Sequence, residues 1–238
     1  MVLTTVTVVA PPQNPVRQLA QWASESCTQG ASVLNVGAGS NVSGAMQPLL
    51  RRGPYLVGVD PDAAIEHNVT LAERHRMHIE EFAENHPGRF DMILSTYVLE
   101  HVERPAEFAA ACAHVLRPGG VWFALTLNVR HYFGATTWAL SRLNAADRVL
   151  HWLKADELVH EHHFPTVYRF NSQAVIRREC ASAGFDSIDF RCYDAPRSYQ
   201  WYMPGALSWL PPAYCRMAYA IGSAQMMGHL TFRATKAC

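Results

Sequence analysis

The chain alternates short apolar runs with amphipathic segments of helical period. The apolar runs predict strands at Ser32 to Val36, Tyr55 to Val59, Arg76 to Ile79, Phe90 to Ser95, Gly120 to Leu127, Ile188 to Tyr193 and His229 to Ala234. The segments between them predict helices over residues 15–27, 42–51, 105–115 and 172–183. Continuously apolar strands that alternate with helices are typical of a parallel sheet covered on both faces. We therefore expect an α/β fold with a seven-stranded, mostly parallel sheet and helices on both faces.

Three segments depart from this alternation. Val2 to Ala10 is apolar but lacks a basic region and runs into prolines, so we expect a disordered or loosely strand-like lead and no signal peptide. Residues 129–165 are rich in aromatic and histidine side chains, and they follow the fifth strand at the sheet edge where open α/β folds bind ligands. We expect this insertion to form a helical lid.

The third segment, Trp201 to Ile221, is apolar but is interrupted by prolines and carries Arg216. These residues argue against a membrane span. The segment is expected to cover a substrate pocket, to form a dimer face or to rest on a membrane surface. We predict one domain over residues 1–238, with a core at 15–130, the lid at 129–165 and a C-terminal part of the sheet at 166–238.

Composition excludes several classes of protein. The 238 residues contain 20 Lys and Arg against 20 Asp and Glu, scattered along the chain, so no basic patch for nucleic acid is expected. The six cysteines show no Cys-x-x-Cys pair, which argues against zinc and against a disulfide framework. We expect a cytoplasmic protein with reduced thiols. No metal site is expected either, because His160 and His162 would diverge on a helix.

A glycine loop follows the first predicted strand, in the run Asn35-Val36-Gly37-Ala38-Gly39. Glycine tolerates positive φ and lets a ligand approach the backbone at the start of a helix. Asp60 ends the next strand about 20 positions later, the offset at which a doubly wound sheet presents an acid to ribose hydroxyls. Val42 stands where a dinucleotide fold needs a small residue, and there is no Gly-Lys-Ser/Thr for a triphosphate. The pattern favours another kind of nucleoside ligand.

Further motifs follow in order: Phe90-Asp91, Leu99-Glu100-His101-Val102 and Leu116-Arg117-Pro118-Gly119-Gly120. With the glycine loop and Asp60 they resemble the class I S-adenosylmethionine-dependent methyltransferases, particularly the small-molecule branch of ubiquinone and menaquinone biosynthesis. The resemblance covers residues 15–130 and returns weakly near 168–171 and 183–185. It implies a Rossmann-like sheet with an antiparallel last strand, S-adenosylmethionine as cofactor, and methyl transfer to the O, N or C of a small organic acceptor.

The resemblance also assigns roles to residues. Members of the family usually carry an acid where this chain has Asn35, so a modestly weaker cofactor affinity is expected. The candidate cofactor contacts are Asn35, Gly37, Gly39, Asn41, Asp60 on the ribose, Ile79 and Glu80 on the adenine, and Ser95 at the methionine end. The candidate general bases are His101 and His131, and the candidate substrate contacts are Asn128, Tyr132, His162 and His163. Glu80 could equally be an acid in the solvated first turn of a helix.

Other functions stay open. The chain could be a non-catalytic cofactor-binding partner subunit, or an enzyme that retains the cofactor for a reaction other than methylation, such as a cyclase or hydrolase. A nicotinamide-dependent reductase is disfavoured by Val42. The sequence does not identify the acceptor, and a homodimer is possible.

Overall fold

A single mixed sheet organises the part of the chain that the structure, a computed structural model, describes: residues 2–40, 44–132, 135, 166–198 and 205–238. Its strands are β1 (Leu3–Val8), β2 (Ser32–Val36), β3 (Tyr55–Val59), β4 (Glu73–His75), β5 (Phe90–Thr96), β6 (Leu116–Leu127), β7 (Phe185–Tyr193) and β8 (His229–Lys236). They lie in the order β1-β7-β8-β6-β5-β2-β3-β4. Strand β8 is antiparallel to β6 and β7, and all other neighbours are parallel. The α/β fold and the antiparallel last strand are confirmed.

The sheet has eight strands in the described residues, so the expected count of seven is wrong. The additional strand is β1, which pairs in parallel with β7 from Leu3 opposite Ser187 to Val8 opposite Cys192. Its β-branched Thr and Val residues favour an extended conformation, and the edge of β7 supplies the hydrogen bonds. The N-terminal lead is therefore part of the sheet.

The third predicted strand is displaced. Strand β4 occupies Glu73–His75, whereas Ile79 begins a helix. Polar residues form this short edge strand because few of its side chains are covered, so it lacks the apolar run that marks the central strands. The Ile79 side chain instead packs into the hydrophobic core.

Helices cover both faces of the sheet. Within the described ranges they are α1 (Pro15–Ser26), α2 (Gln47–Leu50), α3 (Ile79–Glu84), α4 (Pro105–Val115), α5 (Gln173–Ser182) and α6 (Leu210–Ile221). Caps fix two of their starts: the Asn14 side chain accepts the Arg17 N–H, and Ser172 accepts the Val175 N–H. The segment predicted as one helix over 42–51 contains a 3-10 turn at Gly44–Met46 before α2.

Two hydrophobic cores sandwich the sheet. On one face Trp122 lies among residues of α4 and α5, and on the other Phe123 meets the edge of Trp22 of α1 at 5.4 Å between ring centroids. Burying each such side chain stabilises the fold by roughly 2 to 3 kcal/mol. Neighbouring residues of β6 therefore anchor opposite faces.

The strand order locates the ligand crevice. From the central β2 the chain moves outward through β3 and β4, then returns to the other side of β2 with β5 and β6. In open α/β sheets ligands bind beyond the carboxyl ends of the strands where the order reverses. That point lies between the ends of β2 and β5.

The apolar segment predicted over 201–221 includes α6, with two prolines in its first turn and Trp209 and Ile221 exposed near its two ends. Among the described residues we find no helix both long and apolar enough to cross a bilayer. Whether this segment covers substrate, forms an interface or touches a membrane stays a prediction, as does the division of the chain into core, lid and C-terminal part.

Candidate active site

The glycine loop lies at the end of β2. Gly37 and Gly39 adopt φ of 71° and 55°, which other residues rarely adopt. The Gly37 N–H donates to the Val59 carbonyl at 2.9 Å, and a Cβ at Gly37 would overlap the Val98 side chain. A Cβ at Gly39 would meet open space. The loop is therefore packed at its first glycine and open at its second.

The Asp60 carboxylate faces this loop. Its Oδ2 accepts the Gly39 N–H at 2.9 Å, and its Oδ1 accepts the Asp62 N–H at 2.8 Å. The residue is nine-tenths buried, at 8% exposure. Each carboxylate oxygen has a further lone pair, so Asp60 can fix the loop and still accept from a ligand.

Asn68, which sequence reasoning missed, supports the loop from behind. Its Nδ2 donates to the carbonyls of Ala38 and Gly39, both at 3.1 Å, and its Oδ1 accepts the Thr70 N–H at 3.2 Å. The side chain is fully buried. Asn68 lies in an irregular segment where no periodicity marks a buried residue, so no signal in the sequence could have identified it.

The other predicted cofactor contacts differ in placement. Asn35 is buried near the end of β2, and no hydrogen bond joins its amide to another described residue. Ile79 and Glu80 form the first turn of α3, where Ile79 is buried and Glu80 is half-buried. The cofactor roles of Asn35, Ile79 and Glu80 stay predictions, and Asn41 lies outside the described residues.

Ser95 lies near the end of β5 with its hydroxyl bonded within the core. It is fully buried, and its Oγ accepts the indole N–H of Trp122 at 2.9 Å. Trp122 belongs to the core beneath α4 and α5. The Ser95 hydroxyl thus has a partner in the core, and its role at the methionine end of the cofactor stays a prediction.

A second group of polar and aromatic side chains lies at the carboxyl edge beside β5 to β8. We call it the His–Tyr cluster, and it comprises Tyr97, His131, Tyr132, Tyr193, Asp194, Tyr214 and His229. Strand register explains part of it, because His229 opposes both Leu127 and Tyr193, the last residues of β6 and β7. Since β8 is antiparallel, its first residue lies at the edge where its neighbours end.

His131 and Asp194 meet in this cluster. The His131 Nε2 lies 3.5 Å from Asp194 Oδ1, and both side chains are buried. Burial, with a contribution from the nearby His229, lowers the pKa of His131 to about 3. The imidazole is therefore neutral. A Cβ at Gly228 would lie 2.6 Å from Asp194 Oδ1, so the glycine leaves room for the Asp194 carboxylate beside His131.

Asp194 has further partners. It receives a hydrogen bond from the thiol of Cys215, whose pKa burial and this carboxylate raise to about 11. Its backbone N–H donates to the Tyr219 hydroxyl at 3.1 Å. The sequence analysis did not single out Asp194, because only the fold brings it from the end of β7 to His131.

His229 is completely buried, and neither ring nitrogen has a hydrogen-bond partner among the described residues. Its ring stacks on Tyr193 with centroids 5.4 Å apart and an interplanar angle of 12°. Tyr97 meets it edge-on at 6.4 Å. Burial lowers the pKa of His229 to about 4, so this imidazole is also neutral. Sequence reasoning had assigned His229 only to a strand.

The turn after β5 connects the glycine loop with the His–Tyr cluster. Val98 contacts Gly37, and the adjacent Tyr97 has a φ of 56°, a strained conformation for a residue other than glycine. Burial raises the pKa of the Tyr97 phenol, with smaller contributions from Tyr193 and Glu100. Strain of this kind concentrates at functional sites.

Glu100, in the same turn, is a buried acid. Its Oε1 accepts the Leu127 N–H at 3.2 Å, whereas its Oε2 has no partner among the described residues. Burial raises the pKa of Glu100 to about 7, against the effect of hydrogen bonds from the Leu127 N–H and the Thr126 hydroxyl. The carboxyl group is therefore partly protonated near neutral pH.

The remaining predicted site residues fall in three places. His101 is half-buried at the end of the 3-10 helix Leu99–His101. Asn128 is buried with its amide donating to the carbonyls of Gln225 and Met227, which gives it a structural role at the end of β6. Tyr132 packs on His131 with ring centroids 4.4 Å apart. His162, His163 and the group they form with His160 lie outside the described residues.

An open cavity of about 620 Å³ lies on the α1 side. It is lined by Gln13, Asn14, Arg17, Gly44, Ala45 and Arg197. Gly44 and Ala45 follow the glycine loop, and the two guanidinium groups make the opening cationic.

Comparison with known proteins identifies the family. A model described as "Methyltransferase domain" matches residues 13–189, more than half of the chain. The chain belongs to this methyltransferase-domain family. It is similar to the ubiquinone biosynthesis O-methyltransferases of Sodalis glossinidius, 38% identical over 108 residues (42% of each chain), and of a Bradyrhizobium strain, 35% identical over 139 residues (55% of this chain, 51% of the relative).

The chain thus spans about half the length of the curated relatives that it matches, or less. Among solved structures it is similar to phosphoethanolamine N-methyltransferase 2 of Haemonchus contortus, with a TM-score of 0.60 and 15% identity over 96% of this chain and 54% of that one. An identity this low shows the shared fold alone.

Proposed function

We propose that the protein binds S-adenosylmethionine at the carboxyl ends of β2 and β3 and transfers its methyl group to a small organic acceptor. The observation that carries this proposal is the Asp60 carboxylate, which faces a glycine loop that is open at Gly39. The family membership supports the same function. The names of the curated relatives favour an oxygen atom as the acceptor over nitrogen or carbon.

The residues present fit this cofactor. Asp60 has lone pairs left for the two ribose hydroxyls, Gly39 allows close approach to the backbone, and the Asn35 amide has no other described partner. Bound S-adenosylmethionine supplies a methyl group already activated by a sulfonium. The protein then has to position the acceptor, exclude water and receive a proton.

The His–Tyr cluster fits these tasks. Its tyrosine rings offer an apolar wall for an aromatic acceptor, and the neutral His131, whose Nε2 lies 3.5 Å from Asp194 Oδ1, would receive the hydroxyl proton. With the cofactor bound, the oxygen–carbon bond would form as the sulfur–carbon bond breaks, and the hydroxyl proton would pass to His131. Asp194 would stabilise the resulting imidazolium. This arrangement favours His131 over His101 as the base.

The experiment is calorimetry with S-adenosylhomocysteine on the wild type and on Asp60→Ala, followed by mass detection of methyl transfer. We expect Asp60→Ala to weaken binding about 100-fold or more, because charge-assisted hydrogen bonds contribute about 1.5 to 3 kcal/mol each. The matched control is Asp62→Ala, since the Asp62 side chain caps the 3-10 helix Ala63–His67 and the substitution keeps the backbone N–H that donates to Asp60. Equal affinities for the wild type and Asp60→Ala would contradict the proposal.

The proposal also covers the class of acceptor, the cellular location and the oligomeric state. The acceptor is a small molecule and not nucleic acid, in keeping with a net charge of zero. A cytoplasmic location is inferred from the cysteine pattern. A homodimer stays a prediction that sedimentation would test.

A further inference from the structure

His229 is a buried polar side chain that the fold leaves unsatisfied. Most buried polar groups in native proteins have a hydrogen-bond partner, and each exception calls for a physical explanation. Both nitrogens of this ring lack one among the described residues, although the ring is 0% exposed. A phenylalanine could stack on Tyr193 equally well without the cost of burying two polar atoms. Packing alone therefore does not explain a histidine here.

The position of His229 relates it to the ligand crevice. Val98 packs against Gly37 of the glycine loop, and Tyr97, which precedes Val98 in the chain, meets the His229 ring edge-on at 6.4 Å between ring centroids. The imidazole thus lies beside the turn that follows β5, at the carboxyl edge of the sheet. Ligands of open α/β sheets bind at this edge.

The surroundings of His229 indicate what it would bind. The neutral imidazole has one donor and one acceptor nitrogen. The facing groups are the phenols of Tyr97 and Tyr193 and the neutral His131, with Asp194 beyond His131. A hydroxyl group both donates and accepts, and a ring that carries it would pack against the tyrosines. A charged ligand would be disfavoured in so buried a place.

We propose that His229 binds the acceptor through a hydrogen bond to its hydroxyl oxygen, an inference that rests on the proposed function. The Tyr97 ring, which meets the imidazole edge-on, would border the bound acceptor. His229 thereby fixes the orientation of the acceptor, whereas His131 receives the proton.

The test uses the full chain with S-adenosylmethionine and 4-methylcatechol as the acceptor probe. We compare His229→Phe, which keeps the stacking and removes both nitrogens, with His229→Gln, which keeps hydrogen-bonding capacity. His86→Phe is the matched control, because His86 also stacks on an aromatic ring, that of Phe82. His86 lies just after α3, and its ring hydrogen-bonds the Phe82 carbonyl.

We expect His229→Phe to lower kcat/KM for the probe at least tenfold, mainly through KM, and His229→Gln to recover part of this loss. The affinity for S-adenosylhomocysteine should stay within twofold of wild type, and the Tm should not fall. His86→Phe should leave turnover unchanged. Wild-type kcat/KM in His229→Phe would overturn the proposal, as would a joint loss of Tm and cofactor affinity, which indicates a structural role.

A second measurement does not depend on turnover. In ¹⁵N-histidine NMR of the S-adenosylhomocysteine complex, the ring nitrogen signals of His229 are assigned as those that are missing from His229→Phe. Addition of 4-methylcatechol should shift these signals. Unchanged signals would mean that His229 holds a buried water or no partner, which overturns the inference. Failure of the proposed function is distinguishable, because it would appear as a wild-type protein that binds no S-adenosylhomocysteine.

Discussion

The glycine loop and the His–Tyr cluster lie at the same edge of the sheet, but their buried polar groups are paired to different degrees. Around the loop both Asp60 oxygens and the Asn68 amide have backbone partners. In and beside the cluster both His229 nitrogens and one Glu100 oxygen have none among the described residues. The loop is thus preorganised by the chain itself, whereas His229 and Glu100 keep hydrogen-bonding capacity that the described residues do not use. Cofactor affinity and acceptor recognition should therefore respond differently to mutation.

The largest expected effect comes from Gly37→Ala. Position 37 has a positive φ that strains an alanine, and the added methyl group would overlap the Val98 side chain. We therefore expect the free energy of unfolding to fall by about 3 to 5 kcal/mol. Gly39→Ala is the control, because it adds strain of about 1 to 2 kcal/mol in open space. Urea denaturation measures both. Similar costs at the two glycines would show that the loop is not packed as described.

The free energy of unfolding at acid pH should depend on His229. Its pKa is about 4 in the folded chain and 6.5 when exposed, so the unfolded chain binds more protons between these pH values. Stability from this group is complete above pH 6.5 and is lost as pH falls toward 4. We expect the wild type to lose about 3 kcal/mol in this window that His229→Phe does not lose. Parallel pH profiles of the two proteins would refute burial as the cause.

On the loop side, Asn68→Ala should lower the free energy of unfolding by about 2 kcal/mol and weaken S-adenosylhomocysteine binding. The reason is that two loop carbonyls lose their donor. Asn85→Ala serves as the comparison, since Asn85 is an exposed residue at the end of α3, where substitutions typically change stability by less than about 0.5 kcal/mol. An Asn68 variant with wild-type cofactor affinity would mean that the loop is held by Asp60 alone.

Glu100→Gln should give the smallest change in stability between two pH values. The pH dependence that Glu100 causes has the opposite sign to that of His229. The folded pKa of about 7 exceeds the ordinary value of 4.5, so the folded chain binds more protons between these limits. Stability from Glu100 is present at acid pH and falls as pH rises through 7. Between pH 6 and 8 the wild type should lose about 1 kcal/mol that the Gln variant retains, as thermal unfolding across this range would measure.

Local signals in the sequence account for the sheet and the glycine loop. Strands β2 and β3 were predicted with the bounds that the structure has, because apolar runs bounded by glycine, proline and aspartate are local features. Strand β4 was misplaced, since its polar residues lie at a sheet edge. The role of Ser95 stays a prediction, since its hydroxyl accepts the Trp122 indole N–H and the loop motif does not show which side of β5 meets the crevice.

The His–Tyr cluster could not be assembled from the sequence in the same way. Asp194 follows β7, and His229 begins β8. Only the antiparallel register of β8 brings the ends of these distant segments together near His131. Local periodicity carries no information on such distant pairs. The motif Leu99-Glu100-His101-Val102 marked the turn after β5, but it did not reveal that Glu100 is buried.

The pairing of β1 with β7 has a consequence for how the N-terminal residues can be handled. Besides the six paired positions, the Val9 carbonyl accepts the Tyr219 hydroxyl at 2.9 Å, so the N-terminus also holds α6. Trimming the first nine residues would uncover the backbone N–H and C=O groups of β7 as a bare sheet edge. Such an edge can recruit a strand from another molecule, so a shortened protein would tend to self-associate even with every ligand contact intact.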